Sequence, residues 1–450
     1  MNKINPWLEE RLKIAEKRAS PLRYIVEVVP DRRAEVKAKI LQLPDTSVVS
    51  QPADRFILVE APAPIVERIA RIEGVKVVSA ETLVWIRSLL PPFPISTSQF
   101  DPYLGEVRLS PVEIEAGPLE GIATLPFIGI KSLATKVYNT EYTKNYLEVP
   151  EDNKIKTKVA VLDTGLIWPH TLMRKFVHLK SWTGEAPLDG HSHGTWCSTC
   201  AFGDPATHPR YGKCEGIADA TESMHGKVLS NAGFGYLSWI LEGMHYAVKE
   251  YGAKIVSMSL GGALQGSALD DDPMCRLISA LRDEAMFVVA AGNEGNEGGW
   301  KIGSPGAAPD CLCVASWGIT RNSVAGFSSR GPSGRYYKTR PEVWSRDLAR
   351  VGDKLVKPDC AAPGGDDKVA EKILSGAGGW YDIIADLLPQ WGAMRGTSMA
   401  TPHVAGIVAL AYDRGLVRTA DDVRFKLRRV WVEPKSIEVG LGLVTWDRLT

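Results

Sequence analysis

The sequence predicts an α/β protein, a parallel sheet with helices on both faces, preceded by a small ferredoxin-like α+β domain. Two patterns carry this expectation. Between about residues 23 and 79, β-rich and amphipathic runs follow one another in the order β-α-β-β-α-β. From residue 158 onward, short and wholly apolar runs alternate with helical patterns, as expected for strands buried on both faces. A chain of 450 residues is long enough for more than one domain. The expected division is an N-terminal domain over residues 1–85, a connector over 86–126 and a large domain over 127–450.

In chain order, residues 23–29 contain Tyr24, Ile25, Val26, Val28 and Val29, a strand ended by Pro30-Asp31. Residues 32–43 place Val36, Ile40 and Leu41 among charges, the pattern of an amphipathic helix. Short strands are expected at 47–50 and 55–60. A second helix is expected over 64–72, stopped near Gly74, and a last strand over 75–79. Nothing in this domain clusters His, Cys or carboxylates in a way that suggests chemistry. From residue 86 to about 146 the chain is irregular, and Leu90-Pro91-Pro92-Phe93-Pro94 and Ser96-Thr97-Ser98 read as an exposed connector. Beyond it, strands are expected at 158–162, 226–229, 254–258, 286–290 and 311–315, with helices over 236–251 and 273–284. In such a sheet a ligand site lies past the C-terminal ends of the strands.

Composition narrows the function classes. Fifty-three basic residues balance fifty-three acidic ones, which gives no electrostatic case for nucleic acid or an anionic membrane. No apolar run reaches membrane-spanning length. Residues 1–23 alternate charge with Leu and Ile and lack the apolar core of a secretory signal. The expectation is a cytoplasmic monomer, with a secreted protein whose leader is missing from this sequence as the alternative. Seven cysteines, an odd number without disulfide-framework spacing, leave at least one thiol unpaired.

The residues that can carry chemistry sit at strand tips and helix starts. Ser398 lies in Gly396-Thr397-Ser398-Met399-Ala400-Thr401-Pro402-His403, where a small-residue loop enters an apolar helix. The positive end of a helix favours negative charge developing nearby, although a serine there is also an ordinary cap. Asp163 ends the first apolar strand, in Asp163-Thr164-Gly165. His193 opens a helix in Gly190-His191-Ser192-His193-Gly194-Thr195-Trp196-Cys197. A metal site from His193, Cys197 and Cys200 on one helical face, with His191 beside them, is an alternative there. Asn293 follows another apolar strand in Ala291-Gly292-Asn293-Glu294-Gly295 and can donate an amide hydrogen bond to an oxyanion. Together these supply nucleophile, base, orienting acid and oxyanion donor for acyl transfer. The order Asp…His…Ser excludes the α/β-hydrolase arrangement, which would need its acid and base after Ser398.

The segments around Asp163, His193 and Ser398 resemble the three signatures of the subtilisin-like serine proteases. Supporting matches are Ser259-Leu260-Gly261-Gly262, Phe327-Ser328-Ser329-Arg330-Gly331-Pro332 and Lys357-Pro358-Asp359 with Ala362-Pro363-Gly364. They cover about residues 127–447 in family order. The resemblance implies a subtilisin-like fold and a serine endopeptidase with Asp163, His193 and Ser398 as triad and Asn293 as oxyanion donor. It further implies a cleft in which a peptide lies as an added strand between Gly233-Phe234-Gly235 and Ser259-Leu260-Gly261. Gly303 corresponds to the floor of the specificity pocket and Glu294 to its rim. The N-terminal domain is similar to the propeptide of this family, an intramolecular chaperone and inhibitor, with self-cleavage in the connector over residues 82–126. Polypeptides are the expected substrates. A peptide ligase using the same triad and a catalytically silent scaffold are the alternatives.

This sequence departs from the family pattern at several places. Trp196 stands where a histidine is usual after His-Gly-Thr, and Cys197 matches the proteinase K- and thermitase-like subset, placing a thiol beneath His193. The chemistry requires no cofactor. A structural calcium is not supported, since the loop over residues 203–216 lacks the family's asparagine-containing pattern. Residues 333–356 look like an insertion, with Arg335-Tyr336-Tyr337-Lys338 and Trp344 expected at the surface.

Overall fold

The computed structural model describes residues 3–6, 8, 9, 12, 21–86, 136–168, 170–174, 177–378, 390–430 and 434–450. Strand β1 (Leu22–Val28) leads into helix α1 (Arg33–Ile40), strands β2 (Ser47–Ser50) and β3 (Phe56–Ala61), helix α2 (Val66–Arg71) and strand β4 (Val75–Ala80). The strands form one antiparallel sheet in the order β2-β3-β1-β4. Alternation along the strands divides their side chains between two cores. Tyr24, Val26, Ile57 and Val59 pack with Val36, Ile40, Val66 and Ile69 of the two helices. Ile25, Phe56 and Leu58 point the other way and join the core of the large domain. One sheet face is therefore an internal core and the other a docking face.

Past β4 the chain does not become irregular at once. It forms strand β5 (Leu83–Ile86), which sits between Phe234–Tyr236 and Leu260–Gly261 and is antiparallel to both. The expected end of the N-terminal domain, residue 85, falls inside this strand. Residues 87–126 of the connector lie outside the described residues.

The large domain is built on an eight-stranded sheet. Its strands are β6 (Val159–Asp163), β7 (Val177–Ser181), β8 (Ser223–Lys227), β9 (Ile255–Met258), β10 (Met286–Ala290), β11 (Leu312–Gly318), β12 (Ser323–Val324) and β13 (Cys360–Pro363). The order is β12-β11-β10-β9-β6-β8-β7, with β13 also on β11, and only the β11–β12 pair is antiparallel. Val159 and Val161 face helices α3 (His193–Phe202) and α8 (Thr397–Asp413), while Ala160 and Leu162 face α4 (Leu237–His245) and α5 (Pro273–Leu281). Strand β8 begins and ends earlier than the apolar run predicts. The N–H groups of Val228 and Leu229 both donate to the carbonyl of Asp163, at 2.9 and 3.0 Å, which turns the chain off the ladder. The helix expected over 236–251 is α-helical only to His245 and continues as a π-helical turn, Tyr246–Glu250.

All seven cysteines are free and buried, in keeping with the odd count. The expectation that the aromatic residues of the insertion lie at the surface is corrected. In the insertion, helices α6 (Arg335–Lys338) and α7 (Pro341–Val351) bury Tyr337 completely and Trp344 and Tyr336 in part, leaving Arg335 and Lys338 exposed. The Tyr337 ring can be buried because its hydroxyl has a partner, the carboxylate of Asp347, at 2.9 Å.

Next to β13 lies a buried ion cluster. Asp359 meets Lys357 at 2.7 Å, Lys435 at 2.6 Å and Arg424 of helix α9 (Ala420–Arg428) at 2.9 Å. Burial alone would raise the Asp359 carboxyl, but Arg424, Lys357 and Lys435 overcome it and hold the group well below the usual carboxylate range. The cluster fastens the C-terminal segment to the sheet. Replacing Asp359 by alanine removes the carboxylate partner of buried Lys357 and Lys435 and leaves Arg424 with Asp421 alone, so guanidinium unfolding of the variant should show a loss of about 3–5 kcal/mol. A loss under about 1 kcal/mol would show that the cluster contributes little.

Candidate active site

Asp163 is the last residue of β6, at the C-terminal edge of the sheet, and its side chain is buried. Its Oδ1 accepts from the Thr164 N–H at 2.7 Å and from His193 Nδ1 at 2.7 Å. A carboxylate only accepts, so the proton on the imidazole lies on Nδ1. His193 is the first residue of α3, and Ser192 before it takes a left-handed conformation (φ 83°) without capping the helix. Asp189 does the capping. Its carboxylate accepts from the N–H groups of His191, Ser192 and Thr195 and from the hydroxyls of Thr195 and Thr164. The Thr164 hydroxyl in turn accepts from the Gly194 N–H at 2.8 Å. A Cβ on Gly194 would come within 2.3 Å of the Gly165 carbonyl, so glycine is what lets α3 approach the tip of β6. Asp189 and Thr164 escaped the sequence reading, although an acid just ahead of a helix start is a recognisable capping signal.

Ser398 is the second residue of α8, after Gly396 at φ 150°, a conformation that suits glycine alone. Its hydroxyl donates to the Ser259 carbonyl at 3.1 Å, and the Ser259 hydroxyl donates back to the Ser398 carbonyl at 2.9 Å. Both Ser398 and His193 are fully buried, and His193 Nε2 has no hydrogen-bond partner. Cys197, one turn along α3, lies between the two helices. Its sulfur is 3.6 Å from the Ser398 carbonyl oxygen and 3.9 Å from His193 Nδ1. Burial pushes this thiol well above its ordinary pKa and keeps it protonated.

Asn293 follows the end of β10. Its Oδ1 accepts from the Thr397 N–H at 2.9 Å and from the Thr397 hydroxyl at 3.1 Å. A main-chain N–H can only donate, so the side-chain oxygen is identified without ambiguity and the NH₂ group is left for another acceptor. The first turn of α8, whose N–H groups lack acceptors within the helix, starts at the same residue.

The two cleft segments are also brought together, around the chain's own β5. Phe234, Gly235 and Tyr236 pair with Trp85, Val84 and Leu83, and Leu260 and Gly261 pair with Ile86 and Trp85. Val84 is buried, and Trp85 lies against the Phe234 ring at 5.5 Å between centroids. Gly233 precedes this edge with φ 80°. Gly303 adjoins Ser304, which pairs with Gly262 through bonds of 2.8 and 3.0 Å at the end of the other edge. Glu294 is half-buried and its carboxylate accepts from the Ser329 hydroxyl at 2.6 Å.

The four-residue metal set is not assembled. Cys200 faces His403, with sulfur 3.5 Å from Nδ1, and the group of three potential ligands among the described residues is Asp163, His193 and Cys197. In the loop over residues 203–216, a hairpin of Ala206–His208 and Gly212–Cys214, Asp204 accepts from the Arg174 N–H and Glu215 pairs with Lys144 and Lys213.

Known proteins resemble this chain over most of the large domain. Residues 154–428 match the profile of the subtilase family. Serine protease AprX of Bacillus subtilis is 31% identical over 306 residues, 64% of each chain. Pyrolysin of Pyrococcus furiosus is 33% identical over 265 residues, 49% of this chain and 17% of its own. The major intracellular serine protease of Bacillus subtilis is 30% identical over 265 residues, 56% of this chain and 67% of its own. The chain thus spans just under two thirds of AprX and less than a fifth of pyrolysin. The crystal structure of fervidolysin from Fervidobacterium pennivorans, a keratinolytic enzyme related to subtilisin, superposes with a TM-score of 0.62 at 17% identity, covering 96% of this chain and 61% of that one. At that identity the likeness concerns the fold.

Burial raises the pKa of every cysteine in the chain. Iodoacetamide at pH 8 is therefore expected to label none of the seven thiols in the native chain and all of them in guanidinium, read by intact mass. Rapid native labelling of Cys197 would show that the ground beneath His193 is open.

Proposed function

The chain belongs to the subtilase family, and on that premise we propose that it hydrolyses polypeptides as a serine endopeptidase. Ser398 attacks the scissile carbonyl while His193 takes its proton at Nε2 and later returns it to the leaving amine. Asp163 holds the tautomer and stabilises the imidazolium. The observation that carries this reading is the buried 2.7 Å Asp163–His193 pair with its unpartnered Nε2, tied to the helix start at Ser398 by the Cys197 sulfur, which contacts both His193 and the Ser398 carbonyl. For attack, the Ser398 hydroxyl leaves the Ser259 carbonyl by a side-chain rotation. The oriented Asn293 amide and the first N–H groups of α8 receive the oxyanion.

The N-terminal domain is read here as an intramolecular inhibitor, in a precursor that cuts itself. Support comes from β5, which fills the place of an added substrate strand. Its pairing with Leu260 at Ile86 runs toward Ser259, whose carbonyl holds the Ser398 hydroxyl. The cut is accordingly expected within the first few residues after Ile86. Glu81 of the N-terminal domain also caps α4, accepting from the Ser238 N–H at 2.9 Å.

Ser398→Ala should lower peptidase activity by about 10⁴-fold or more and leave an uncut, folded chain, as read by intact mass and a fluorogenic peptide. Asn293→Ala should cost about 10²–10³ in kcat. Near wild-type activity in Ser398→Ala would end the proposal.

Burial pushes the Glu81 carboxyl up to about 7, from an ordinary value of 4.5 when exposed. Docking therefore takes up a proton between those values. The hold on the cleft should be strongest below pH 4.5, weaken by up to about tenfold per unit as pH rises, and level off above 7. Glu81→Gln should flatten that dependence of the rate at which activity appears, and an unchanged profile would exclude Glu81 as its source.

A further inference from the structure

We infer that the insertion over residues 333–356 builds the seat on which the N-terminal domain docks. The inference rests on the inhibitor reading of that domain, and it assigns the insertion a partner, the chain's own residues 5–82.

The N-terminal domain grips the large domain at the loop over residues 264–272 and at α5. The Asn5 side-chain amide donates to the carbonyls of Gln265 and Asp271, and the Ser79 hydroxyl donates to the same Asp271 carbonyl. Gln265 Nε2 donates to the Thr82 hydroxyl at 2.7 Å, immediately before β5, and Arg276 clasps the Glu27 carboxylate of β1. Main-chain carbonyls of the loop supply several of these acceptors. They are correctly aimed only while the loop backbone keeps its course.

The insertion holds that course through contacts of its own with residues 267–270. The Ser267 hydroxyl donates to the Asp347 carboxylate, and the Ala268 N–H donates to the Tyr337 hydroxyl at 2.8 Å. The Tyr337 hydroxyl donates to the same Asp347 oxygen at 2.9 Å. Arg346 and Arg350 of α7 reach Asp270 at 3.0 and 2.6 Å. Asp347 and Tyr337 are fully buried, and Tyr337 packs edge-on against Trp344, which packs edge-on against Trp300. A buried carboxylate is costly to keep unless every partner is in place. Here its partners are a loop hydroxyl, the tyrosine that holds the next loop amide, and Arg346 of its own helix. The network thus spans from the insertion to the loop, and the loop spans to the inhibitor.

Hydrogen exchange on the full chain carrying Ser398→Ala, which stays uncut, tests this directly. Adding Asp347→Asn should speed exchange at residues 79–86 tenfold or more, with β6 and β10 unchanged. Tyr337→Phe, which keeps the ring and its packing, should act in the same direction by a smaller factor. Unchanged protection of residues 79–86 in both variants would overturn the inference. Equal loss of protection in β6 and β10 would overturn it too, because the insertion would then serve the fold at large. The readout needs no catalysis, so failure to find peptidase activity would count against the functional reading and leave the exchange result standing.

Discussion

The structure depends on what happens at Asp163. Its carbonyl takes the N–H groups of Val228 and Leu229, bending the neighbouring strand away from the sheet edge, and its carboxylate takes the imidazole of His193. One residue at the tip of a central strand therefore both turns the neighbouring strand and orients the His193 imidazole. A parallel sheet provides such a place because its strands all end at one edge and its faces are sealed by helices. The supports behind it are polar and buried: Asp189 and Thr164 on the His193 side, Ser259 and Thr397 on the Ser398 side. A buried polar network of this kind holds its members rigidly when every member is satisfied. Asp163 Oδ2 and His193 Nε2 both lack partners and depart from that rule, the latter at the point where a proton would arrive.

The second constraint is the open edge of the cleft. Phe234–Tyr236 and Leu260–Gly261 leave a gap of one strand between them, and unpaired main-chain groups along such edges attract any extended peptide. The chain fills the gap with β5. Around it the N-terminal domain makes a broad contact, through the apolar sheet face with Ile25, Phe56 and Leu58 and through the Arg276–Glu27 pair. Polar links such as Glu81 on α4 and Asn5 on the loop over 264–272 aim the contact, while Ile25, Phe56 and Leu58 join the core of the large domain.

Much of this was legible in the sequence because the signals are local. Apolar runs five residues long reveal buried strands, and Asp163, His193, Asn293 and Ser398 each sit where such a run or a helix begins or ends. The small domain was readable for the same reason, since each helix and strand carries its own periodicity. Strand β5 was not. Four residues make no pattern, and its partners at 234–236 and 260–261 are far along the chain. Tyr337 was misread as a surface residue because a tyrosine between Arg and Lys looks solvated until Asp347, on the next helix, is known to receive its hydroxyl. The extent of β8 was missed because the bend depends on a carbonyl of another strand.

The central claim is that Ser398 is a nucleophile activated by His193. Reaction of the full-length chain with a fluorophosphonate, followed by peptide mapping, measures it most directly. One adduct is expected, on Ser398, accumulating with time and lost when His193 is replaced by alanine. A folded chain that never reacts, or one labelled equally well without His193, would contradict it.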